Sequence, residues 1–335
     1  MRTPGWTHRC VSAVVACACA TGLAACATGT DGSEGPAGGT ADTADTAAPS
    51  AETSVPVEHA FGSTEVPVHP ERAISFSQAW TDAFASLGHP VATEVVSTIF
   101  DAGVPWSTDA AGESITNSGG GADAIPSFGV EEIAAKNPDV IFAGYVPDQE
   151  TFDALSAIAP TVATVGTGKV DDWREVTTAA GSILGDEDGA EDVIAGVDDL
   201  MHQVSEEHPA VDGATFAYAA YSDGSFSVIS SPEDAANRFF TDLGMTLSTD
   251  DISGAETNRG ISVSAENISL LDMDLLALWV RADSPDDIAG WSSLPSVEHG
   301  TAAELDSPAA TALGAPTALS IPWLLDQLEP YFANL

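Results

Sequence analysis

The sequence predicts an α/β fold in which two lobes are joined by a single long helix. Short runs of β-forming residues alternate with helical segments from Val57 to the C-terminus, as is typical of α/β domains. A helix–strand segment occurs twice, at residues 129–145 and again at 264–280. The longest amphipathic pattern in the chain lies between these two copies, at 186–208. One α/β unit on each side of one helix is the simplest arrangement of these segments.

The first 25 residues have the pattern of a secretory signal peptide. Arg2 and Arg9 precede an apolar run at 10–25. This run is too short to span a membrane as a helix of the mature protein. The run leads into LAAC at 23–26, which resembles the lipobox of bacterial lipoproteins. We therefore expect removal of residues 1–25 and lipidation of Cys26. An ordinary signal peptide followed by an incidental cysteine is the alternative.

The cysteine count agrees with this interpretation. Three of the four cysteines lie inside the predicted signal peptide, which leaves Cys26 as the single cysteine of the mature chain. An intramolecular disulfide, a redox motif and a cysteine zinc site are thereby excluded from the mature domain. Residues 26–56 are rich in Gly, Ala, Thr, Asp and Pro, with no large apolar residue before Val55. Their composition predicts a flexible tether.

The charge of the chain is strongly negative. It contains 51 Asp and Glu residues against 9 Lys and Arg residues, a formal net charge of −42, so nucleic acid and an anionic membrane surface are excluded as partners. The acids are spread along the chain, which resembles the solvated surface of a salt-tolerant extracellular protein. With 44% apolar residues the chain can still form a sizeable core.

The N-terminal lobe is predicted to cover residues 57–185. Its strands are predicted at 72–77, 92–98, 139–145 and 161–167, and its helices at 81–88, from Glu131, at 148–159 and at 172–184. The last of these helices is amphipathic and is followed by Gly185, a residue that favours the end of a helix.

The long helix is predicted at 186–208 and the C-terminal lobe at 209–335. Acidic residues at 186–188 favour the helix N-terminus, and its apolar face is formed by Val193, Ile194, Val197, Leu200, Met201 and Val204. In the lobe that follows, strands are predicted at 215–221, 225–230 and 245–248 and in the second copy of the repeated segment. Helices are predicted at 234–244 and 322–332.

From Val57 to Leu335 the chain resembles the substrate-binding lipoproteins of bacterial ABC importers for ferric siderophores, whose relatives bind haem or cobalamin. The resemblance is carried by the order and spacing of VEHAFGSTEVPVHPERAISFS, PSFGVEEIAAKNPDVIFAGY, LSAIAPTVA, RFFTDLGM and ISVSAENISLLDMDLLAL. It implies the class III periplasmic-binding-protein fold, with the ligand in a cleft between two α/β lobes.

The resemblance also implies a function. The protein would capture a ferric siderophore and deliver it to an ABC importer, whose permease dimer works with ATPase subunits. It would act outside the cytoplasm as a monomer, held at the cell membrane through its lipid anchor. It would not be an enzyme and would need no cofactor, because ferric iron would arrive inside the siderophore.

The family presents one glutamate per lobe to arginines of the permease, and the matching positions are Glu131 and Glu266. Both lie in the first helical turn of a copy of the repeated segment, 135 residues apart. This explains why one chain would contain the segment twice. The alternative is that acidic residues are common at helix starts in any protein. Glu132 is the competing assignment for Glu131.

Ligand-binding side chains are predicted at strand ends that face the other lobe. The resemblance to the family favours aromatic and arginine residues, here Trp80, Trp106, Tyr145, Tyr221, Arg238 and Arg281; Arg259 lies in a loop of uncertain path. The alternative for each aromatic residue is a place in the core. The alternative for Arg238 is surface pairing with Asp234 and Asp242, four residues away on either side.

Other functional classes are less compatible with the sequence. No GxSxG, HExxH or P-loop motif is present, and the histidines are too scattered to form a metal site. Haem or cobalamin remains an alternative cargo, and a surface lipoprotein without a transport role is the third reading. The negative charge favours a neutral or weakly charged chelate over an anionic tris-catecholate, although screening limits this effect to about 8 Å in physiological salt.

Overall fold

The computed structural model describes residues 53–119, 123–257, 260–281 and 284–335. The predictions for the signal peptide, for lipidation of Cys26 and for Arg259 lie outside the described residues. Most of the predicted tether also lies outside the described residues, but its last residues are described. Ser54, Val55 and Pro56 belong to a strand, so the predicted tether ends about three residues too late.

This first strand forms a hairpin at the edge of the N lobe. Strands β1 (Ser54–His59) and β2 (Gly62–Pro67) pair antiparallel. Val57 and Val66 are buried against the N-lobe core, and the Thr64 hydroxyl donates to the carbonyl of Thr161 at 2.7 Å. These long-range contacts order a segment whose local composition predicted flexibility.

The N lobe is a parallel sheet flanked by helices. Among the described residues its strand order is β5-β4-β3-β6-β7. The strands are β3 (Ala73–Ser75), β4 (Val91–Ser97), β5 (Ala111–Asn117), β6 (Val140–Gly144) and β7 (Thr161–Ala163). The helices are α1 (Gln78–Ser86), α2 (Ala124–Phe128), α3 (Val130–Ala135), α4 (Gln149–Ser156) and α5 (Trp173–Leu184). Every residue of β3, β6 and β7 is buried, as expected for strands covered on both faces.

The long helix α6 covers Glu187–Glu207 and lies within the predicted range of 186–208. At about 1.5 Å per residue it is about 30 Å long. The Asp186 side chain accepts a hydrogen bond from the Gly189 amide at its N-terminus. All six residues of the predicted apolar face pack on the core of the C lobe.

The C lobe contains a mixed sheet with the order β11-β12-β9-β8-β13-β14 among the described residues, and β10 pairs with β8. Its strands are β8 (Thr215–Ser222), β9 (Ser225–Val228), β10 (Thr246–Leu247), β11 (Ala255–Thr257), β12 (Gly260–Ser264), β13 (Leu275–Val280) and β14 (Ala302–Leu305). Its helices are α7 (Ala235–Asp242), α8 (Pro295–His299), α9 (Ser307–Gly314) and α10 (Ser320–Phe332). The α/β fold with two lobes is therefore confirmed.

Helices α5 and α6 together connect the two lobes. Trp173, at the start of α5, is buried in the C-lobe core, whereas Val176 and Ile183 of the same helix are buried in the N-lobe core. Gly181 allows the two helices to approach closely, because a Cβ atom there would lie 2.5 Å from the Cβ of Ala190. The lobes thus share buried side chains as well as a covalent connection. No helix of the described residues combines the length and apolar character that crossing a membrane requires.

Candidate ligand-binding cleft

A cavity of about 1240 Å³ lies between the lobes. Its N-lobe wall is the segment 167–174, which covers the end of the connection from β7 and the start of α5. Its C-lobe wall comes from segments within 229–242, 249–257 and 260–261 and from Trp279 of β13, and residues within 310–321 complete the lining. Ordinary small-molecule sites have volumes of about 300–1,000 Å³, so this cavity can hold a large ligand.

The cavity combines aromatic and charged side chains. The aromatic residues of the lining are Trp173, Tyr218, Phe239 and Trp279, and the charged ones include Lys169, Asp171, Asp172, Arg174 and Arg238. The Arg174 guanidinium lies 4.4 Å from the ring centroid of Trp173. Such a lining offers apolar contact together with a few polar groups that can orient a ligand.

Arg238 lines the cavity, as the sequence analysis predicted for a ligand-binding residue, and it pairs across the cleft. Its Nη1 donates to Asp172 Oδ2 at 3.1 Å, which joins α7 of the C lobe to the N-terminus of α5. Asp172 also accepts hydrogen bonds from the Arg174 and Glu175 amides, so its carboxylate is held in place at the helix start. The expected surface pairs of Arg238 with Asp234 and Asp242 are absent from the ion pairs of the described residues.

Arg174 makes a second connection between the lobes. Its Nη2 donates to Asp198 of α6 at 2.5 Å and to Asp242 of α7 at 3.3 Å. The two arginines and their acidic partners therefore form one network along the cleft. Both arginines are engaged by carboxylates.

Asp171 is a cavity residue with a perturbed acidity. Ser77 Oγ donates to its Oδ2 at 2.5 Å, and the Val165 amide donates to its Oδ1 at 2.7 Å. Loss of solvation raises the pKa of Asp171 to about 6, although both hydrogen bonds act in the opposite direction. Its charge therefore changes within a mildly acidic pH range.

The predictions for Trp80 and Tyr221 were wrong, because both residues belong to the cores. Trp80 is fully buried in α1 and stacks on Phe142, with ring centroids 4.1 Å apart. Tyr221 is buried near the end of β8 and packs against Phe226 at 4.9 Å. Their strand-end positions in the sequence did not reveal that both side chains turn inward.

Trp106 lies at a contact between the lobes but does not line the cavity. Its Nε1 donates to Asp82 Oδ2 at 2.9 Å, and its ring packs against Trp323 of α10 at a centroid distance of 5.2 Å. Thr317, which precedes α10, also donates to Asp82 Oδ2, at 2.5 Å. Burial raises the pKa of Asp82, and these hydrogen bonds partly oppose that effect. The predicted role of Trp106 in ligand binding is replaced by one in joining the lobes.

Tyr145 and Arg281 lie near the strand ends where they were predicted, but neither lines the cavity. Tyr145 follows β6 and is 44% exposed. Arg281 follows β13, and its guanidinium lies 4.5 Å from the ring centroid of Trp279, which does line the cavity. Arg281 therefore contacts a residue of the cavity wall.

The N-lobe wall of the cavity was not predicted from the sequence. Lys169, Asp171, Asp172 and Arg174 are concentrated in the connection that follows β7. Two glycines and four charged residues soon after a buried strand could have indicated this wall of the cavity. The strand was predicted to extend to residue 167, whereas β7 ends at Ala163, so the first four residues of the connection were wrongly assigned to the strand.

Glu131 and Glu266 are both exposed at the start of a helical turn. Glu131 lies in the first turn of α3, and Glu266 lies in the first turn of a 3-10 segment over Ala265–Leu271. Each is followed by a buried isoleucine, Ile133 or Ile268. Both carboxylates are accessible to a partner protein.

The described residues contain no group of three or more His, Cys, Asp and Glu side chains arranged to hold a metal ion. A large interlobe cavity lined by aromatic and charged side chains, on two α/β lobes joined by a long helix, defines the class of extracytoplasmic solute-binding proteins. The chain belongs to the periplasmic binding protein family, whose model matches residues 79–309. The family consists of substrate-binding proteins and not of enzymes.

Individual relatives are similar over most of the chain. The probable siderophore-binding lipoprotein YfiY of Bacillus subtilis is 23% identical over 301 residues, which cover 82% of this chain and 87% of the relative. A periplasmic solute-binding protein from Mycobacterium smegmatis has a similar structure, with a TM-score of 0.68, 24% identity and coverage of 84% and 98% of the two chains. PiaA of Streptococcus pneumoniae in complex with ferrichrome has a TM-score of 0.64, 21% identity and coverage of 84% and 99%.

Proposed function

We propose that the protein captures a ferric siderophore in the interlobe cleft and delivers it to the permease of an ABC importer. The observation that carries this proposal is the cavity of about 1240 Å³ between the lobes of a periplasmic binding protein. Its volume suits a chelate better than a bare ion or a single sugar or amino acid. The similarity to a probable siderophore-binding lipoprotein and to PiaA in its ferrichrome complex supports the same choice.

Ferric iron would be bound by the siderophore and not by the protein. The cavity residues supply apolar surface and hydrogen-bonding groups, and the described residues lack a metal-ligating cluster. A complete chelate already satisfies the coordination of its iron. The protein then needs to recognise only the shape and charge of the complex.

Delivery would use Glu131 and Glu266, one from each lobe. A carboxylate can accept two parallel hydrogen bonds from an arginine, which makes such a pair specific in geometry. The exposure of both glutamates at equivalent positions of the repeated segment supports this role. Two docking points, one on each lobe, match the two halves of a permease dimer.

The protein would act at the outer face of the cell membrane, anchored by a lipid on Cys26. The LAAC sequence at the end of the apolar N-terminal run supports this anchor, as does the similarity to a lipoprotein. The residues between Cys26 and β1 would allow the domain to reach the permease. Labelling with a radioactive fatty acid, with Cys26→Ser as the control, tests the anchor directly.

Ligand titration tests the central proposal. The chain from residue 26 onward is titrated with a ferric tris-hydroxamate, a ferric tris-catecholate, haem and cobalamin, and tryptophan fluorescence is recorded. Because Trp173 and Trp279 line the cavity, a bound ferric chelate should quench the emission saturably. The iron-free chelators and a ferric salt alone serve as controls.

The outcomes separate the alternatives. Saturable quenching by a ferric chelate supports the proposal. A response to haem or cobalamin alone keeps the importer function and changes the cargo. A folded domain that binds none of these ligands contradicts the proposal and favours a surface lipoprotein without a transport role.

A further inference from the structure

The walls of the interlobe cavity carry more negative than positive charge. Seven acidic side chains line the cavity among the described residues, compared with three basic ones. The basic residues are Lys169, Arg174 and Arg238, and the acidic ones are Asp171, Asp172, Glu233, Asp234, Asp242, Asp250 and Glu256.

The two described arginines that line the cavity are each paired with carboxylates. Arg238 donates to Asp172 at 3.1 Å, and Arg174 donates to Asp198 and Asp242. An anionic ligand that approached either guanidinium would also approach the carboxylates paired with it, and their negative charge would oppose its binding.

Three cavity acids have no compensating partner among the residues that the structure describes. Glu233, Asp250 and Glu256 make no side-chain hydrogen bond and no ion pair within the described residues, and all three are exposed on the C-lobe wall. Their negative charge is therefore available to a ligand. A concave wall lined by charges of one sign concentrates ligands of the opposite sign.

We infer that the cleft selects a ferric chelate of neutral or positive net charge and disfavours a trianionic one. The chemical class that fits is a ferric tris-hydroxamate, whose complex is neutral or, with a free ammonium group, carries one positive charge. A ferric tris-catecholate carries three negative charges and meets the unpaired acids. This inference rests on the proposed function and specifies its ligand.

The size of the effect follows from the distances involved. A charge on the ligand and a charge on the cavity wall lie about one chelate radius apart, and at that distance they still interact. Each unit of ligand charge should therefore change the affinity about three- to tenfold at low salt. Added salt should reduce this difference, because the screening length falls to about 8 Å at physiological ionic strength.

A matched pair of ligands isolates the charge. The probes are a ferric tris-hydroxamate with a free ammonium group and its N-acetylated, neutral form, which share the same iron coordination. A ferric tris-catecholate is the third probe. Dissociation constants are measured for the chain from residue 26 onward by tryptophan quenching, at low and at physiological salt. We expect the ammonium form to bind about fivefold more tightly than the acetylated form, and the tris-catecholate to bind most weakly.

Two variants of equal charge change locate the source of the preference. Glu233→Gln/Asp250→Asn/Glu256→Gln removes the three unpaired cavity acids. The control, Glu298→Gln/Asp326→Asn/Glu329→Gln, removes three exposed acids that do not line the cavity. We expect the first variant to reduce the difference between the ammonium and acetylated forms and the control to leave it unchanged.

Each result decides a different point. Tris-catecholate binding at least as tight as that of the neutral tris-hydroxamate overturns the inference and leaves the proposed function intact. An equal effect of the two triple variants overturns the role of the cavity acids, since the charge of the whole domain would then account for the preference. Failure of all three chelates to bind a folded chain contradicts the proposed function itself.

Discussion

In the N lobe the repeated segment begins as the α-helix α3, whereas in the C lobe the same positions form a 3-10 segment over Ala265–Leu271. Within the latter, Asn267 departs from helical backbone angles, with φ −103° and ψ 24°. Despite this difference, the glutamate and isoleucine side chains have the same exposure in both copies. Glu131 and Glu266 are exposed, and Ile133 and Ile268 are buried in the cores of their lobes.

The two segments also end in the same way. The Asp139 carboxylate, just before β6, accepts hydrogen bonds from the Glu71 and Arg72 amides that precede β3. The Asp274 carboxylate, just before β13, accepts hydrogen bonds from the amide and hydroxyl of Thr215 at the start of β8. In both lobes an aspartate therefore fixes the start of the adjacent parallel strand. The comparison indicates that the position of the glutamate relative to the sheet is maintained, and not the type of helix that carries it.

The largest expected effect is the loss of transport when both glutamates are removed. We expect Glu131→Ala/Glu266→Ala to abolish ligand uptake in cells, because each lobe would lose its proposed contact with the permease. The affinity for the ligand should stay within about twofold, since neither residue lines the cavity. Uptake of radioactive iron and fluorescence titration measure the two properties separately. The single variants show whether the two lobes contribute equally.

The control for this double variant is Glu132→Ala/Asp272→Ala. It removes the same charge from exposed positions beside the same two turns. Normal uptake by the control together with loss in the Glu131/Glu266 variant would assign docking to these two residues. Equal loss in both would indicate that the overall charge of this surface matters instead.

The next largest effect concerns the buried isoleucines. We expect Ile133→Ala and Ile268→Ala each to lower the free energy of unfolding by about 2–4 kcal/mol, because both leave cavities in packed cores. Urea unfolding followed by circular dichroism measures the change. Ala134→Ser and Ser269→Ala, at exposed neighbouring positions, should change it by less than about 0.5 kcal/mol. A cost confined to one lobe would mean that the two isoleucines are not equivalent.

The capping aspartates should have a smaller effect. We expect Asp139→Ala and Asp274→Ala to destabilise the protein by about 1–3 kcal/mol, because each leaves a strand start without its charged acceptor. Asp139→Asn and Asp274→Asn retain an acceptor oxygen and should cost less. Asp139 is better shielded from solvent, so its removal should cost more than that of Asp274. The opposite order in urea unfolding would contradict this ranking.

The smallest effect concerns a contact that only one copy has. Lys136 forms an ion pair with Glu113 at 2.6 Å, whereas the corresponding position in the second copy is Leu271, which is buried. We expect a double-mutant cycle of Lys136→Met and Glu113→Gln to give a coupling of about 0.2–1 kcal/mol that decreases in high salt. A larger coupling that is insensitive to salt would show that the pair is more than a surface contact.

Elements with strong local signals could be predicted from the sequence. Helix α5 is capped at its N-terminus by Asp172, whose side chain accepts hydrogen bonds from the Arg174 and Glu175 amides, and at its C-terminus by Gly185, with a positive φ of 63°. The apolar period of α6 predicted both its range and its buried face. The hairpin of β1 and β2 could not be predicted, because its order depends on contacts with distant residues such as Thr161 and Thr164.

The candidate site was harder to predict than the fold. Of the six proposed ligand-binding residues only Arg238 lines the cavity. A position at a strand end does not determine where a side chain points, since Trp80 lies in the buried face of α1 and Tyr221 packs inside the C lobe. The N-lobe wall also depends on the early end of β7, followed by Gly166 with φ 96°, where a Cβ would lie 2.9 Å from Asp172. These features depend on tertiary packing and not on local pattern.

The hydrogen bond from Thr317 to Asp82 has a consequence for how the protein reaches its native state. It joins residues 235 positions apart, and Asp82 belongs to the lobe that leaves the ribosome first. Until Thr317 and the α10 residue Trp323 are in place, the Asp82 carboxyl group and the Trp106 indole lack contacts that they have in the native structure. We expect the first lobe to complete its folding only after the C-terminus has been synthesised and exported. A chain truncated before α10 should therefore be digested readily by proteases and should not form a stable N lobe.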